Sequence, residues 1–290
     1  MSGTVTKAEF ETVVATMRSK LHRYCARMTG SVIDGEDVLQ TALIKAYEAV
    51  LKETHINNIE AWLFQVAHNT AMDFFRKRNS QETLVKEVAM QPDENSVDTN
   101  LLTENIRQLS VLPPLQRSVV LLRDLFGYPA EEVAEILMST TSAVKSALHR
   151  GRQQLKKVSV LDSAVAPLPA ANTHLVDLIR QYVDLFNQRK FDDIQDLLTE
   201  EVRLDMVNKV QFSGKAEVGG YFINYSNQAD WRMEAGVVEG RPAVLAFTRE
   251  SGEIPAYFVL LEFDQDALRF IRDFRYAQYV MEGATWQKLA

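Results

Sequence analysis

Near residue 170 the hydrophobic period of this chain changes. Up to Ala166 the apolar residues recur mostly at three- and four-residue spacing, with few glycines. Beyond Leu198 they alternate, in runs rich in aromatic and β-branched residues such as Ala243–Thr248 and Ala256–Phe263. A 3.6-residue period lines one face of a helix and a two-residue period lines one face of a strand, so the two halves need different layers. The expected fold is therefore multidomain, with all-α helical parts first and an α+β part last. A chain of 290 residues is long enough for two or three such units.

Two stretches mark the borders. Gln81–Thr99 mixes Pro, Asp, Glu, Asn and Ser with weak periodicity, as a flexible tether does. Ser163–Asn172 is Ala/Pro-rich and uncharged, which favours a stiffer, extended spacer. The expected units are 1–80, 106–158 and 172–290, joined by connections at 81–105 and 159–171.

Composition narrows the class. Hydrophobic residues make up 46% and charged residues 24%, which excludes wholesale disorder. One cysteine, Cys25, excludes an internal disulfide and a four-thiolate metal site and suits a reducing cytoplasm. No basic-then-apolar leader is expected at the start, and the longest apolar run, Ala256–Phe263, is too short to cross a bilayer. No metal or cofactor is expected. The formal charge of −7 argues against nucleic-acid binding only if it is evenly spread, and it is not. From Asn172 onward there are 13 basic and 19 acidic residues of the chain's 32 and 39, so the first 171 residues are nearly neutral.

In the first unit, Asp34–Leu51 reads as a helix whose buried stripe is Leu39, Ala42, Leu43, Ala46, Tyr47 and Val50. Opposite lie Asp37, Gln40, Thr41, Ile44 and Glu48. An isoleucine on that polar face is either a docking residue or an unremarkable exposed aliphatic. Glu60–Arg78 is a second amphipathic helix, with Gln65, Asn69, Asp73 and Arg76 opposite its apolar face and Arg76-Lys77-Arg78 at its end. Those basic residues either complement the helix dipole or contact phosphate.

The second unit is sharper. Leu115–Leu125 is helical, Phe126-Gly127 stops it, and Pro129 opens a short helix, Pro129–Leu137, at its first position. The turn Met138-Ser139-Thr140 leads into Thr141–Lys157, with Thr140 placed to cap it. Two short helices around a tight turn have helix-turn-helix spacing. Between Met138 and Val158 there are five basic residues and no acid, and Lys145, Ser146, His149 and Arg150 fall on the face away from Val144 and Leu148. Such a face suits a DNA major groove.

Taken together, DGEDVLQTALIKAYEAV, NNIEAWLFQVAHNTAMDFFRKR and LPPLQRSVVLLRDLFGYPAEEVAEILMSTTSAVKSALHRGRQQLKK resemble regions 2.1–2.2, 2.3–2.4 and 4 of bacterial sigma-70 factors of the extracytoplasmic-function group. The resemblance implies a sigma region 2 bundle, a sigma region 4 helix-turn-helix and a protein that is not an enzyme. It implies that Asp37, Gln40, Thr41 and Ile44 dock on the clamp helices of the RNA polymerase β′ subunit. It implies that Asn69, Asp73, Arg76 and Lys77 face the promoter −10 element, where the loop His55–Asn58 and Asn69 would hold a flipped base, with Trp62 or Phe75 as stacking surfaces. It places Lys145, Ser146, His149 and Arg150 against the −35 element. The chain departs from the pattern at Met138, where a turn glycine is common, and at Pro129, where a Ser or Thr cap is usual.

In the third unit Leu175–Asn187 and Asp192–Leu198 read as helices. Strand-like segments follow at Val202–Val207, Ala235–Glu239, Ala243–Thr248, Ala256–Phe263 and Leu268–Phe274. FSGKAEVGGYF and EGRPAVLAF resemble the SnoaL-like, ketosteroid-isomerase-type cone: helices on a curved antiparallel sheet enclosing a pocket. Tyr225, Trp231, Tyr257, Asp273 and Arg275 are candidates to line that pocket, or are simply core. No catalytic residue is assigned. A Trp-Leu-Pro-Glu-Pro linker and an Asp-Gly-Gly-Gly-Arg turn, associated with known fused sigma factors, are both absent.

The reading is a cytoplasmic initiation factor whose partners are core RNA polymerase and promoter DNA. Its acidic C-terminal domain modulates it, with intramolecular contact between that domain and the sigma domains expected. The alternatives are a polymerase-independent helix-turn-helix regulator with a ligand-sensing domain, and an isomerase or cyclase fused to a DNA-binding module.

Overall fold

Helix α1, Lys7–Thr29, begins where Thr6 and Glu9 form a reciprocal capping box, each side chain taking the other's backbone N–H. This first helix went unread in the sequence, although the Thr-x-x-Glu signature announces its start. The computed structural model describes residues 5–53, 55–82, 106–158, 173–226 and 231–289. The tether residues 83–105 and the spacer residues 159–171 lie outside the described residues. The chain divides into two units, Met1–Ser163 and Ala164–Ala290.

In the first unit, α1 is followed by α2, Val32–Leu51, and α3, Ile59–Glu82. The Ser31 hydroxyl accepts from Asp34 N–H and caps α2 three residues before the expected start. α1 and α2 cross closely at Gly35: a Cβ there would lie 2.5 Å from the Cα and N of Ala26. Beside the crossing, Arg18 pairs with the fully buried Glu36 at 2.9 Å, supplying the counter-charge that a buried carboxylate needs.

Helix α4, Pro114–Val120, passes into a π-type turn, Leu121–Leu125. Gly127, at φ 74°, reverses the chain. α5, Ala130–Ile136, starts one residue later than expected, because Pro129 has an extended ψ of 156° and stands at the cap position. α6 is Thr141–Val158. Val133, Ile136, Val144, Ala147 and Leu155 are buried between these helices. The two helical segments expected as separate domains share one hydrophobic core, in which Tyr24, Phe64 and Ala67 join Val119, Val120, Leu121 and Leu122.

The second unit opens with α7, Thr173–Asn187, and α8, Phe191–Asp196. Next come β1, Leu198–Met206, and β2, Val210–Ser213, then α9, Lys215–Ser226. The remaining strands are β3, Trp231–Val238; β4, Arg241–Thr248; β5, Tyr257–Asp264; β6, Ala267–Asp273; and β7, Trp286–Lys288. Among the described residues they form one seven-stranded sheet in the order β2-β1-β6-β5-β4-β3-β7. Every pairing is antiparallel except β1 with β6, which run parallel with Leu204 opposite Ile271. This is the helix-covered α+β cone that the sequence suggests, with α9 and the short strands β2 and β7 added to what alternation alone reveals. Phe186 of α7 anchors the helices, its ring 4.8 Å from Trp231 and 5.0 Å from Tyr225, both edge-on. The Asn187 side chain bonds both N–H and C=O of Met233, tying the end of α7 to β3.

Candidate nucleic-acid and polymerase interface

On α2 the apolar stripe is buried and the opposite side faces outward. Asp37 and Thr41 are exposed, and Ile44 is 61% exposed, a large aliphatic surface on an otherwise polar helix face. Gln40 is half-buried, with its amide turned toward Glu36 at 3.4 Å.

On α3, Asn69, Arg76 and Lys77 are exposed. Asp73 is engaged: Lys45 of α2 reaches it at 3.0 Å and Arg76 pairs with its other oxygen. The hydrogen bond from Lys45 leads the causes that hold the Asp73 carboxyl below its ordinary range. Asp73 thus braces α3 against α2. Between the two helices runs a groove of about 430 Å³, lined among others by Asp37, Thr41, Lys45, Asp73, Arg76 and Lys77. Two residues expected to meet polymerase, Asp37 and Thr41, therefore border the same groove as three expected to meet the −10 element, Asp73, Arg76 and Lys77.

In the loop before α3, His55, Asn57 and Asn58 are exposed and Ile56 is buried. Asn58 Oδ1 accepts from Ala61 N–H at 3.1 Å, fixing the start of the helix. Trp62 is half-buried. Phe75 packs edge-on to Phe74 and lies under the Arg117 guanidinium, 5.4 Å from its ring centre, which covers the face a stacked base would use.

On α6, Lys145, Ser146, His149 and Arg150 are all exposed, while Val144 and Ala147 face the core. The Thr140 hydroxyl accepts from Ala143 N–H at 3.1 Å, capping the helix. Arg152 forms a two-pronged pair with Asp124 at 2.9 and 2.6 Å, which ties α6 to the π-type turn after α4. Met138 sits in the turn at φ 47°, the left-handed region that glycine would enter without cost, and its side chain is exposed.

Sequence reasoning missed the contacts that join these segments. The Tyr24 hydroxyl lies 2.6 Å from Ser118 Oγ and 3.1 Å from His68 Nδ1, all three residues buried. Lys20 donates to the Tyr128 hydroxyl at 2.9 Å. Buried Arg117 donates to the carbonyls of Met28, Ser110 and Leu112, closing the last turn of α1. Desolvation pulls its pKa down to about 10. No periodicity signals the contacts of Lys20, Tyr24 and Met28, because they join residues 44 to 108 positions apart.

In the second unit, Asp273 at the end of β6 is fully buried. Tyr221 and Tyr225 donate to its Oδ2 at 2.8 and 3.1 Å, and Arg275 N–H donates to Oδ1 at 2.8 Å. Burial raises its pKa, against the lowering effect of those donors. A carboxylate enclosed by three donors and sealed from solvent is an anchor for the tyrosines around it. Four of the five candidate pocket residues, Tyr225, Tyr257, Asp273 and Arg275, come together here, and Trp231 stands 5.5 Å from Tyr225.

Comparison with known proteins agrees with this geometry. The model of sigma-70 region 2 matches residues 13–81, and that of sigma-70 region 4 matches 106–155. The sigma-E factor of Streptomyces coelicolor is 33% identical over 51% of this chain and 85% of its own length. The extracytoplasmic-function sigma factor SigG of Mycobacterium tuberculosis is 27% identical and covers 91% of this chain and 80% of its own. The crystal structure of Mycobacterium tuberculosis SigJ covers 92% of this chain and 98% of its own, at 17% identity and a TM-score of 0.36. The matches to both sigma regions define a transcription initiation factor of the sigma-70 type. The chain belongs to the extracytoplasmic-function group of that family, with a cone domain at its C-terminus. Its function is to direct promoter-specific initiation by core RNA polymerase.

Proposed function

We propose that Asp37, Thr41 and Ile44, with Gln40 beside them, form the polymerase-docking face. Asn69, Arg76 and Lys77 meet the −10 element, Asp73 positions Arg76, and Lys145, Ser146, His149 and Arg150 read the −35 element. What supports this reading is the match to both sigma regions in family order, each carrying an exposed polar or basic face on a buried apolar stripe. The helix-turn-helix regulator that works without polymerase gives no role to the region 2 face. The protein acts in the cytoplasm, where polymerase and promoters are.

The first unit must open to do this. A compact unit of 163 residues is roughly 40 Å across. Elements named −10 and −35 lie about 25 base pairs apart, roughly 85 Å at 3.4 Å per pair. The 23 residues from 83 to 105 that separate α3 from Ile106 can reach roughly 80 Å when extended. The closed arrangement is thus a resting state, and polymerase binding separates region 4 from region 2.

The C-terminal unit modulates this activity and is not an enzyme. Its only well-buried pocket carboxylate, among the described residues, is held by three donors and lacks the access that a general base needs. Run-off transcription with core polymerase tests the whole. Full-length protein initiates at a cognate promoter, the Asp37→Ala/Gln40→Ala/Ile44→Ala variant binds core enzyme poorly, and truncation after Val158 changes output. Promoter binding with no polymerase binding by either protein would overturn the assignment.

A further inference from the structure

We infer that the C-terminal unit carries a binding site for a small hydroxylated aromatic acid, in the cavity where Trp231, Tyr257 and Arg275 meet. The cavity measures about 690 Å³ and lies between the start of β3, the end of β4, the start of β5 and the segment after β6. That volume falls within the range of small-molecule sites. Trp231, Thr248, Arg249, Tyr257, Arg275 and Gln278 are prominent in its lining.

The hydrogen-bond inventory selects the ligand. Tyr225 has one hydroxyl proton and gives it to Asp273 Oδ2 at 3.1 Å. The 3.1 Å contact between the Tyr225 and Tyr257 hydroxyls is therefore donated by Tyr257. The proton of Tyr257 is committed inward, so its oxygen offers the cavity only an acceptor. Burial holds Tyr257 far above the ordinary phenol range, and it stays a neutral hydroxyl. A ligand meeting Tyr257 needs a donor.

The rest of the wall asks for the opposite. Trp231 lines the cavity, and its indole Nε1–H is buried without a hydrogen-bond partner among the described residues. Fully buried Tyr182, its ring 5.5 Å from Phe186, has a hydroxyl that is also unpartnered among the described residues. Unpartnered buried polar atoms are uncommon in folded proteins, and a bound molecule is one thing that completes their bonding. Arg249 and Arg275 outnumber the one acidic lining residue, Glu250, which favours an anion. Arg275 is held in place by its own N–H bond to Asp273 and by its guanidinium over the Tyr225 ring at 5.0 Å. Tyr257, with Trp231 under the Arg189 guanidinium at 4.5 Å, gives a flat ring an aromatic and cationic lining. A flat body with a carboxylate toward Arg275 and a hydroxyl toward Tyr257 meets all of these.

Calorimetric titration of the full chain with 6-hydroxy-2-naphthoate, 2-naphthoate and 2-naphthol tests the site without any transcription readout. The hydroxy acid is expected to bind saturably and roughly tenfold more tightly than 2-naphthoate. Tyr257→Phe removes that tenfold advantage and leaves 2-naphthoate binding in place. Arg275→Gln weakens both acids roughly tenfold or more and leaves 2-naphthol unaffected, with thermal melting to verify that the variant is folded. If Arg275→Gln does not fold, the wild-type comparison decides: 2-naphthol binding as tightly as 6-hydroxy-2-naphthoate overturns the anion requirement. Absence of saturable binding by either acid, or a hydroxyl advantage that survives in Tyr257→Phe, overturns the proposal.

Discussion

Ser118→Ala tests whether the closed first unit restrains the protein. Ser118 is fully buried, and its hydroxyl lies 2.6 Å from the Tyr24 hydroxyl across the junction of the two sigma regions. Removing it takes away one buried hydrogen bond but leaves Tyr24 its second partner, His68 Nδ1 at 3.1 Å, so no group is stranded. The expected loss is therefore the net value of a single bond, about 1–1.5 kcal/mol, without a larger desolvation penalty. That loss falls on the closed state alone, because the bond joins the two regions and lies inside neither. About 1.4 kcal/mol is a tenfold shift in the closed–open equilibrium. At sigma concentrations below saturation, run-off transcription with core enzyme is expected to rise severalfold toward that tenfold limit. Calorimetric unfolding of the first unit is expected to drop by about 2–5 °C. A variant that melts earlier yet transcribes no better than wild type would refute the argument, since the lost bond would then not be one that opening has to break.

Three further expectations are simpler. Gly35→Ala puts a methyl group 2.5 Å from backbone atoms of Ala26, and neither helix can yield by moving a side chain. Unfolding is expected to show a loss of about 1–3 kcal/mol in the first unit only. His22 and His68 are buried, and desolvation, the leading cause, lowers both pKa values from 6.5 to about 4. The unfolded chain binds protons on these histidines that the folded chain does not, so their contribution is full above pH 6.5 and is lost as pH falls toward 4. Denaturant titrations across that window are expected to show falling stability, and His68→Gln a shallower fall; a flat profile counts against it. Arg150→Ala is expected to weaken −35 binding by about 1–3 kcal/mol in a sequence-dependent way. A loss that is uniform across sequences makes Arg150 a phosphate contact.

Much of the local structure was legible because it is written locally. The Asp34–Leu51 stripe, the Thr140 cap and the Phe126-Gly127 stop each depend on residues a few positions apart, and each is present in the structure. Pro129 moved by one position because its fixed φ suits either the cap or the first turn, and sequence does not choose between them. α1 was missed because its apolar pattern is weak, and α9 because two adjacent glycines interrupt it. On the surface, Asp37, Thr41 and Ile44 are as exposed as their spacing predicts, whereas Asp73 is engaged by Lys45, a partner on another helix.

What the sequence determined by itself was the order and type of most of the elements, the position of the basic face on α6, and the concentration of negative charge in the last 119 residues. All of these follow from the periodicity, capping and composition of short segments. Only the tertiary structure decided that the two sigma regions share one core, that Tyr24 meets Ser118 and Arg117 meets the end of α1 at Met28, and that Asp273 is enclosed by tyrosines. Their hydrogen bonds join residues 48 to 94 positions apart. Their strength comes from excluding water, a property of the assembled core that no short window of sequence contains.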